Sequence, residues 1–349
     1  MVDDRISVGV LGATGVVGQK LVELLADHPW FRLSEACGSP SSSGKPLARS
    51  DSGEEDSSSA GPDNLRLKDP DSPWESPILL SALPTSAARE QEIRLAEAGH
   101  VVVSNASVHR MRPDVPLIVP EVNAQHLELV TGQAWDGALV TNPNCAVAGL
   151  ALALAPLHEV FGVERVVTTS FQAISGAGTP GPSAGSLLDN VLPLIPGEEE
   201  KFTGEPQKIL GRIEGGVLAP ADFPVSASCT RVSVSDGHLL SVSAALSGRP
   251  SPEEVTKAME AYRGSNVSMS LPSVPKRPLE VMMGEDRPQP RLDRNRGGGM
   301  TVTVGRIRRC EVLDVKFFVL AHNLVRGAAG AALLNAELCH AEGFVVVRR

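Results

Sequence analysis

Short β-branched and apolar runs alternate with helical stretches over the first third of the chain: Ile6 to Leu11, Phe31 to Ala36, Ile78 to Leu83, Val101 to Ser104, Leu117 to Val119 and Ala138 to Thr141. This alternation predicts a parallel sheet wound with helices. From about Val163 the runs lengthen and alternate apolar with polar, as in RVVTTSFQAI, RVSVSDGHLLSVSAAL and GMTVTVGRI. They predict a second, mostly antiparallel sheet. In SPEEVTKAMEAY, Ser251, Pro252 and Glu254 supply a cap, a first-turn proline and a capping box, which predicts a helix over one face of that sheet. HNLVRGAAGAALLNAEL near the end reads as an apolar helix of small residues that packs back on the first part. The polar run DSGEEDSSSAGPDN between Ser50 and Asn64 cannot bury enough apolar area to order itself and reads as a surface loop.

The chain's 349 residues suit two domains. Apolar residues at 42% and charged residues at 21% are those of a soluble protein, with no apolar stretch long enough for a membrane helix. The N-terminal residues lack the zones of a secretion signal, so a cytoplasmic location is expected. A net charge of −9 and 3% aromatics argue against nucleic acid as a partner. Cys37, Cys145, Cys229, Cys310 and Cys339 are odd in number and widely spaced, which argues against a disulfide framework and against a zinc site. The histidines other than His238 show no metal-ligand spacing.

Gly12, Gly15 and Gly18 form GxxGxxG between the strand ISVGVL and the helical run QKLVELLADH. Glycines there allow a tight turn and close backbone approach to a pyrophosphate at a helix N-terminus. Gly12, Ala13, Thr14, Gly15, Val16 and Val17 are therefore candidate cofactor contacts. After the next strand, where an acidic residue would hold the ribose hydroxyls of NAD, the chain offers Ser39, Ser41, Ser42, Ser43 and Lys45. Hydroxyls and a cation suit a 2′-phosphate, so NADP is favoured over NAD, with Glu35 as the counterargument. A GATG turn also occurs in short-chain dehydrogenases, but their Tyr-x-x-x-Lys relay is missing: Tyr262 is the only tyrosine and Asn266 follows four residues on.

TNPNCAVAGLALALAPL places Cys145 at the first turn of a strongly apolar helix. A helix N-terminus stabilises thiolate over thiol, which predicts a lowered pKa and a nucleophile at neutral pH. Cys229 is a possible second thiol, though its strand position favours burial.

The ordered set GATGVVG, SALPTSAA, VVVSNASVHRM, VPEVN, TNPNCA, FQAISGAG, GEEEKFTGEPQKILG, RVSVSDGH, DRPQPRLDR and HNLVRGAAG resembles the aspartate-semialdehyde dehydrogenase family, in its archaeal and fungal branch, over nearly the whole chain. The fold that follows is α/β: a Rossmann-type dinucleotide-binding domain of residues 1–143, completed by a C-terminal helix at 322–349, plus an α+β catalytic and dimerisation domain of residues 144–321. The resemblance implies a homo-oligomer, dimer or tetramer, that reduces aspartyl phosphate with NADP in lysine, threonine and methionine biosynthesis.

It also implies roles for particular residues. Cys145 matches the nucleophile, Gln172 the residue that orients the substrate, and His238 the group that takes and returns the proton. Arg231 matches the grip on the substrate carboxylate, Glu205 and Lys208 the pair that meets the amino group and the phosphate, and Arg110 a phosphate contact. Asn323, with Ser175 and Gly176, matches cofactor contacts near the nicotinamide. Two departures stand out: Ala146 and Val147 replace small hydroxyl residues after the cysteine, and Ser41 stands where relatives often place an arginine. The competing enzyme reading is a malonyl-CoA or succinyl-CoA reductase of the same fold, with coenzyme A in place of phosphate; a nucleotide-binding sensor without activity is the non-enzymatic one.

Overall fold

β1 (Ile6–Leu11), β2 (Phe31–Cys37), β3 (Ile78–Ser81), β4 (Val101–Ser104) and β5 (Ala138–Thr141) form one parallel sheet in the order β2-β1-β3-β4-β5. The structure, a computed structural model, describes residues 4–47, 65–178, 181 and 184–345. The polar run read as a surface loop lies outside the described residues. α1 (Val16–Leu25) and α2 (Thr85–Glu97) are crossovers. The order reverses at β1, so the crevice at the carboxyl ends of β1 and β3 is the expected ligand position for such a sheet. Leu117 to Val119, expected as a strand, forms only an isolated parallel bridge, Leu117 to Thr141, on the outer edge of β5. Pro116 and Pro120 bracket it, and proline cannot donate to a longer ladder. Pro120 instead opens the one-turn helix α3 (Pro120–Asn123).

After β5 the chain runs through α4 (Cys145–Val160), β6 (Val163–Gln172), the short helices α5 (Ala184–Leu187), α6 (Glu199–Phe202) and α7 (Glu205–Ile209), and the hairpin β7 (Arg212–Glu214) with β8 (Val217–Ala219). Then follow β9 (Val225–Arg231), β10 (His238–Leu246), α8 (Pro252–Ala261), β11 (Leu279–Met282), α9 (Pro290–Asp293), β12 (Val302–Arg309), β13 (Val315–Ala321) and α10 (Gly330–Ala341). The second sheet has the order β11-β12-β13-β10-β6-β9, antiparallel through its middle and parallel at both edges. The run RVSVSDGHLL is not continuous strand: it breaks after Arg231 and resumes at His238, and the two pieces flank β6.

α4 is buried along nearly its whole length against Val166, Cys229, Leu240, Val242, Phe317 and Val319 of this sheet, as an all-apolar helix must be. α8 carries the expected capping box at Ser251. Along α10, Ala332, Leu333 and Ala336 pack with Val8, Val10 and Ile78, while Leu334 and Leu338 pack with Val101 and Val140. Helix and first sheet thus share one core. A π-helical turn, Val325–Ala329, precedes α10 and abuts the start of α4, where a Cβ on Gly327 would lie 2.6 Å from the Cβ of Cys145.

Candidate active site

Cys145 is the first residue of α4, and the Asn144 side chain caps that helix by accepting from the amides of Ala146 (2.9 Å) and Val147 (3.2 Å). The Asn144 carbonyl takes Ala148, so the Cys145 N–H is left without a partner among the described residues. Its sulfur faces Nε2 of His238 at 3.2 Å. In the second sheet Gln172 ends β6 in register with Arg231 at the end of β9, and His238 begins β10 on the other side of β6. One rim of one sheet therefore delivers three of the expected side chains to the thiol.

Arg231 is buried, donates to the Ala173 carbonyl (2.7 Å), and has no ion-pair partner among the described residues. An uncompensated buried guanidinium calls for an anion. Gly176 lies over this corner: a Cβ there would come within 2.9 Å of the His238 ring and 3.0 Å of the Arg231 guanidinium. Asn323 donates to Ser175 Oγ (2.8 Å) and accepts from the Gly237 amide (2.8 Å), which ties this loop to the one before His238.

Two electrostatic expectations change. Burial and the Glu198 carboxylate push the Cys145 thiol up to about 12, against the pull of Arg110, Lys201 and Arg231. Lost hydration thus works against the stabilisation of the thiolate expected from the helix N-terminus. His238 is held down to about 3, mainly by burial and by Arg231. The Ala173 amide donates to its Nδ1 (3.0 Å), and an amide can only donate. The neutral ring therefore carries its hydrogen on Nε2, towards the sulfur. So placed, the resting ring donates to the sulfur rather than accepting from it.

The structure also separates two Glu-x-x-Lys pairs. Lys208, expected at the substrate phosphate, gives its ammonium to the carbonyls of Arg110 (2.6 Å), Arg112 (2.6 Å) and Val115 (2.7 Å), which leaves none of its three N–H groups for a ligand. Glu205, expected at the amino group, accepts from the Asn144 amide (2.6 Å) and Arg110 (2.9 Å). It supports the site from behind. The pair that faces the site is Glu198 and Lys201, which the sequence reading missed. Glu198 accepts from Asn144 Nδ2 (2.8 Å), Gln172 Nε2 (2.9 Å) and Lys201 (2.7 Å). The signal was present, since EEEK repeats the Glu-x-x-Lys spacing seven residues earlier. Arg110 is buried, holds Glu205 and the Asn105 carbonyl, and lies close enough to favour the thiolate. Cys229 is buried in the core, and burial pushes its thiol up to about 11.

The glycine turn fits a dinucleotide. Gly12 has φ +76°, and a Cβ on Gly18 would come 2.1 Å from the Gly12 carbonyl, so the turn must stay bare. Ala13 is buried beneath it, while Thr14, Gly15 and Val16 are exposed, Val17 is half-buried, and no side chain caps α1. The serine turn lies alongside: Gly38 is pressed between Thr14 and Ser42, Ser39 Oγ meets Ser41 Oγ (2.9 Å), and Lys45 is exposed. Glu35 points elsewhere. Its carboxylate is taken by Lys68, Ser76 and the amide of Glu75.

Fold and site together define a nucleotide-dependent dehydrogenase that works through a cysteine. Family models described as the semialdehyde dehydrogenase NAD binding domain and the semialdehyde dehydrogenase dimerisation domain match residues 7–130 and 154–326. An aspartate-semialdehyde dehydrogenase of Archaeoglobus fulgidus is 47% identical, with 96% of this chain and 98% of that protein covered. One of Schizosaccharomyces pombe is 40% identical, over 97% and 98%. The crystal structure of the Candida albicans aspartate semialdehyde dehydrogenase with NADP superposes with a TM-score of 0.88 at 38% identity, over 98% of this chain and 100% of that one. The chain belongs to the aspartate-semialdehyde dehydrogenase family.

Proposed function

We propose that the chain catalyses NADP-dependent reductive dephosphorylation of L-aspartyl 4-phosphate to L-aspartate 4-semialdehyde through a thioester on Cys145. One observation carries this reading: a thiol at a helix N-terminus and 3.2 Å from an imidazole, beside a buried guanidinium that has no carboxylate of its own. The names of the relatives at 40% to 47% identity support phosphate rather than coenzyme A as the acyl acceptor.

Arg231 grips the substrate carboxylate in fork geometry. Glu198 has three donors on a carboxylate with about four acceptor sites, which leaves one for the substrate ammonium. Lys201 spends one N–H on Glu198 and turns the others, with Arg110, to the phosphate. Gln172, fixed by Glu198 and Ser170, orients the acyl group. The Cys145 sulfur attacks the acyl carbon as its S–H bond breaks, and phosphate leaves with that proton. When bound, NADPH supplies a hydride to the thioester carbon. The resulting alkoxide receives hydrogen bonds from the Cys145 amide and His238 Nε2, then collapses to aldehyde and expels the thiolate, which the same imidazole N–H steadies until it takes from water the one proton that the overall reaction consumes. His238 keeps its own proton throughout.

The glycine turn holds the pyrophosphate, and Ser39, Ser41, Ser42 and Lys45 meet the 2′-phosphate. Residues 1–143 with the C-terminal helix serve as the nucleotide domain and residues 144–321 as the catalytic one. Among the described residues no helix is long and apolar enough to cross a membrane, and we place the enzyme in the cytoplasm. On the face of the second sheet opposite α4 stand Val167, Phe171, Leu239 and Phe318 among Thr169, Ser241 and Ser243, with Val167 exposed, the others half-buried, and Arg306 and Arg308 stacked over the Phe318 ring. A homodimer forms by packing two such faces.

The deciding assay is phosphate-dependent reduction of NADP by aspartate semialdehyde, beside malonate semialdehyde with coenzyme A, with Cys145→Ser as control. Activity with the first substrate, lost in the variant, supports the proposal; preference for coenzyme A transfers the chain to the acyl-CoA reductases.

A further inference from the structure

The serine turn has one cation of its own, Lys45, for a ligand corner that would carry a phosphate dianion. The chain brings a second cation there from another segment. Residues 65–68 return beside the turn: the Gly44 amide donates to the Leu67 carbonyl (2.8 Å), the Leu67 amide donates to the Lys45 carbonyl (2.9 Å), and Pro46 bridges to Arg66. Arg66 is exposed, and its NH1 donates to the Gly44 carbonyl at 2.7 Å. That tether fixes the guanidinium against the turn. Its remaining N–H groups have no partner among the described residues, and it makes no ion pair there. The acidic residue that would repel a phosphate, Glu35, is drawn off by Lys68 and Ser76. A planar fork of donors, anchored at one nitrogen and open at the others, suits a phosphate better than a mobile ammonium does.

We propose that Arg66 is a specificity-determining contact for the cofactor's 2′-phosphate, reaching the serine turn from the returning segment at 65–68. The inference rests on the NADP reading above and adds to it a residue outside the loop on which that reading was built. Arg66 acts in binding and not in the chemical step, so it discriminates between the two nicotinamide cofactors without touching the thiol.

The test is binding, measured by calorimetry on the full chain with NADPH, NADH, 2′,5′-ADP and 5′-AMP, for the wild type, Arg66→Ala and Arg66→Lys. Arg66→Ala is expected to weaken NADPH and 2′,5′-ADP by about tenfold to hundredfold, as for loss of a charge-assisted hydrogen bond, while NADH and 5′-AMP stay within about twofold. Arg66→Lys should fall between. If Arg66→Ala binds NADPH like the wild type, or weakens NADPH and NADH equally because the turn has lost its tether, the proposal is overturned. A wild type that binds NADPH no more tightly than NADH overturns the NADP reading itself, which the wild-type arm shows before any variant is made.

Discussion

Glu198 with Lys201 and Glu205 with Lys208 share one spacing and stand seven residues apart, yet the fold gives them opposite tasks. The first pair gathers the side chains of Asn144 and Gln172 and keeps donors and an acceptor in reserve for a ligand. The second is spent internally: Glu205 on the Asn144 amide and Arg110, Lys208 on three carbonyls of the turn that carries Arg110. Unspent donors distinguish the two lysines, since Lys201 has given one N–H and Lys208 all three, while the two glutamates differ in which groups they accept from and not in a shortage of acceptor sites. Burial alone does not separate the glutamates, since Glu198 and Glu205 are both buried.

The contrast is most exposed to a test at Glu205. Glu205→Ala strands the buried Arg110 guanidinium and should cost about 3–5 kcal/mol of stability, read from a denaturant midpoint; a variant as stable as the wild type would erase the distinction. Lys208→Met leaves three carbonyls without their donor and should cost about 2–3 kcal/mol, with turnover per folded molecule little changed. Raised KM for phosphate in that variant would return Lys208 to the site. Glu198→Gln should do the reverse, holding stability within about 1 kcal/mol while kcat/KM falls about tenfold to hundredfold, by steady-state kinetics.

Glu198 also sharpens the comparison through the thiol. The Cys145 pKa is raised, so its thiolate fraction, and with it the rate of iodoacetamide alkylation, is small at neutral pH and climbs with pH towards about 12. Removing the Glu198 charge moves that climb to lower pH, so Glu198→Gln should alkylate faster than the wild type at pH 8. An unchanged profile would mean that the carboxylate does not act on the sulfur. The smallest effect on stability is expected for Lys201→Ala, within about 0.5 kcal/mol because Lys201 is partly exposed; the KM for phosphate should rise about tenfold.

Much of the fold was legible because its signals are local. Five of the six expected strands in the first third formed the parallel sheet, and the sixth was cut to a bridge by its flanking prolines, a cue also present in the sequence. β13 and β9 were passed over: Val315–Ala321 is apolar on both faces, and Val225–Arg231 carries mostly small polar residues. In the site, the spacing of Arg231 and His238 was visible, but their placement on two strands flanking β6 was not.

By itself the sequence determined what short-range geometry determines: the bare glycine turn between strand and helix, the cysteine at an apolar helix's first turn, and the capping box at Ser251. Each depends on residues within a few positions of one another, whose backbone conformations the local side chains dictate. Tertiary structure alone decided which Glu-x-x-Lys faces the thiol, which nitrogen of His238 carries hydrogen, how burial and Glu198 bear on the thiol, and that Arg66 meets the serine turn. These are matters of desolvation and of partners brought from 20 to 100 residues away. No local pattern records which hydrogen bonds of a side chain the fold will already have used.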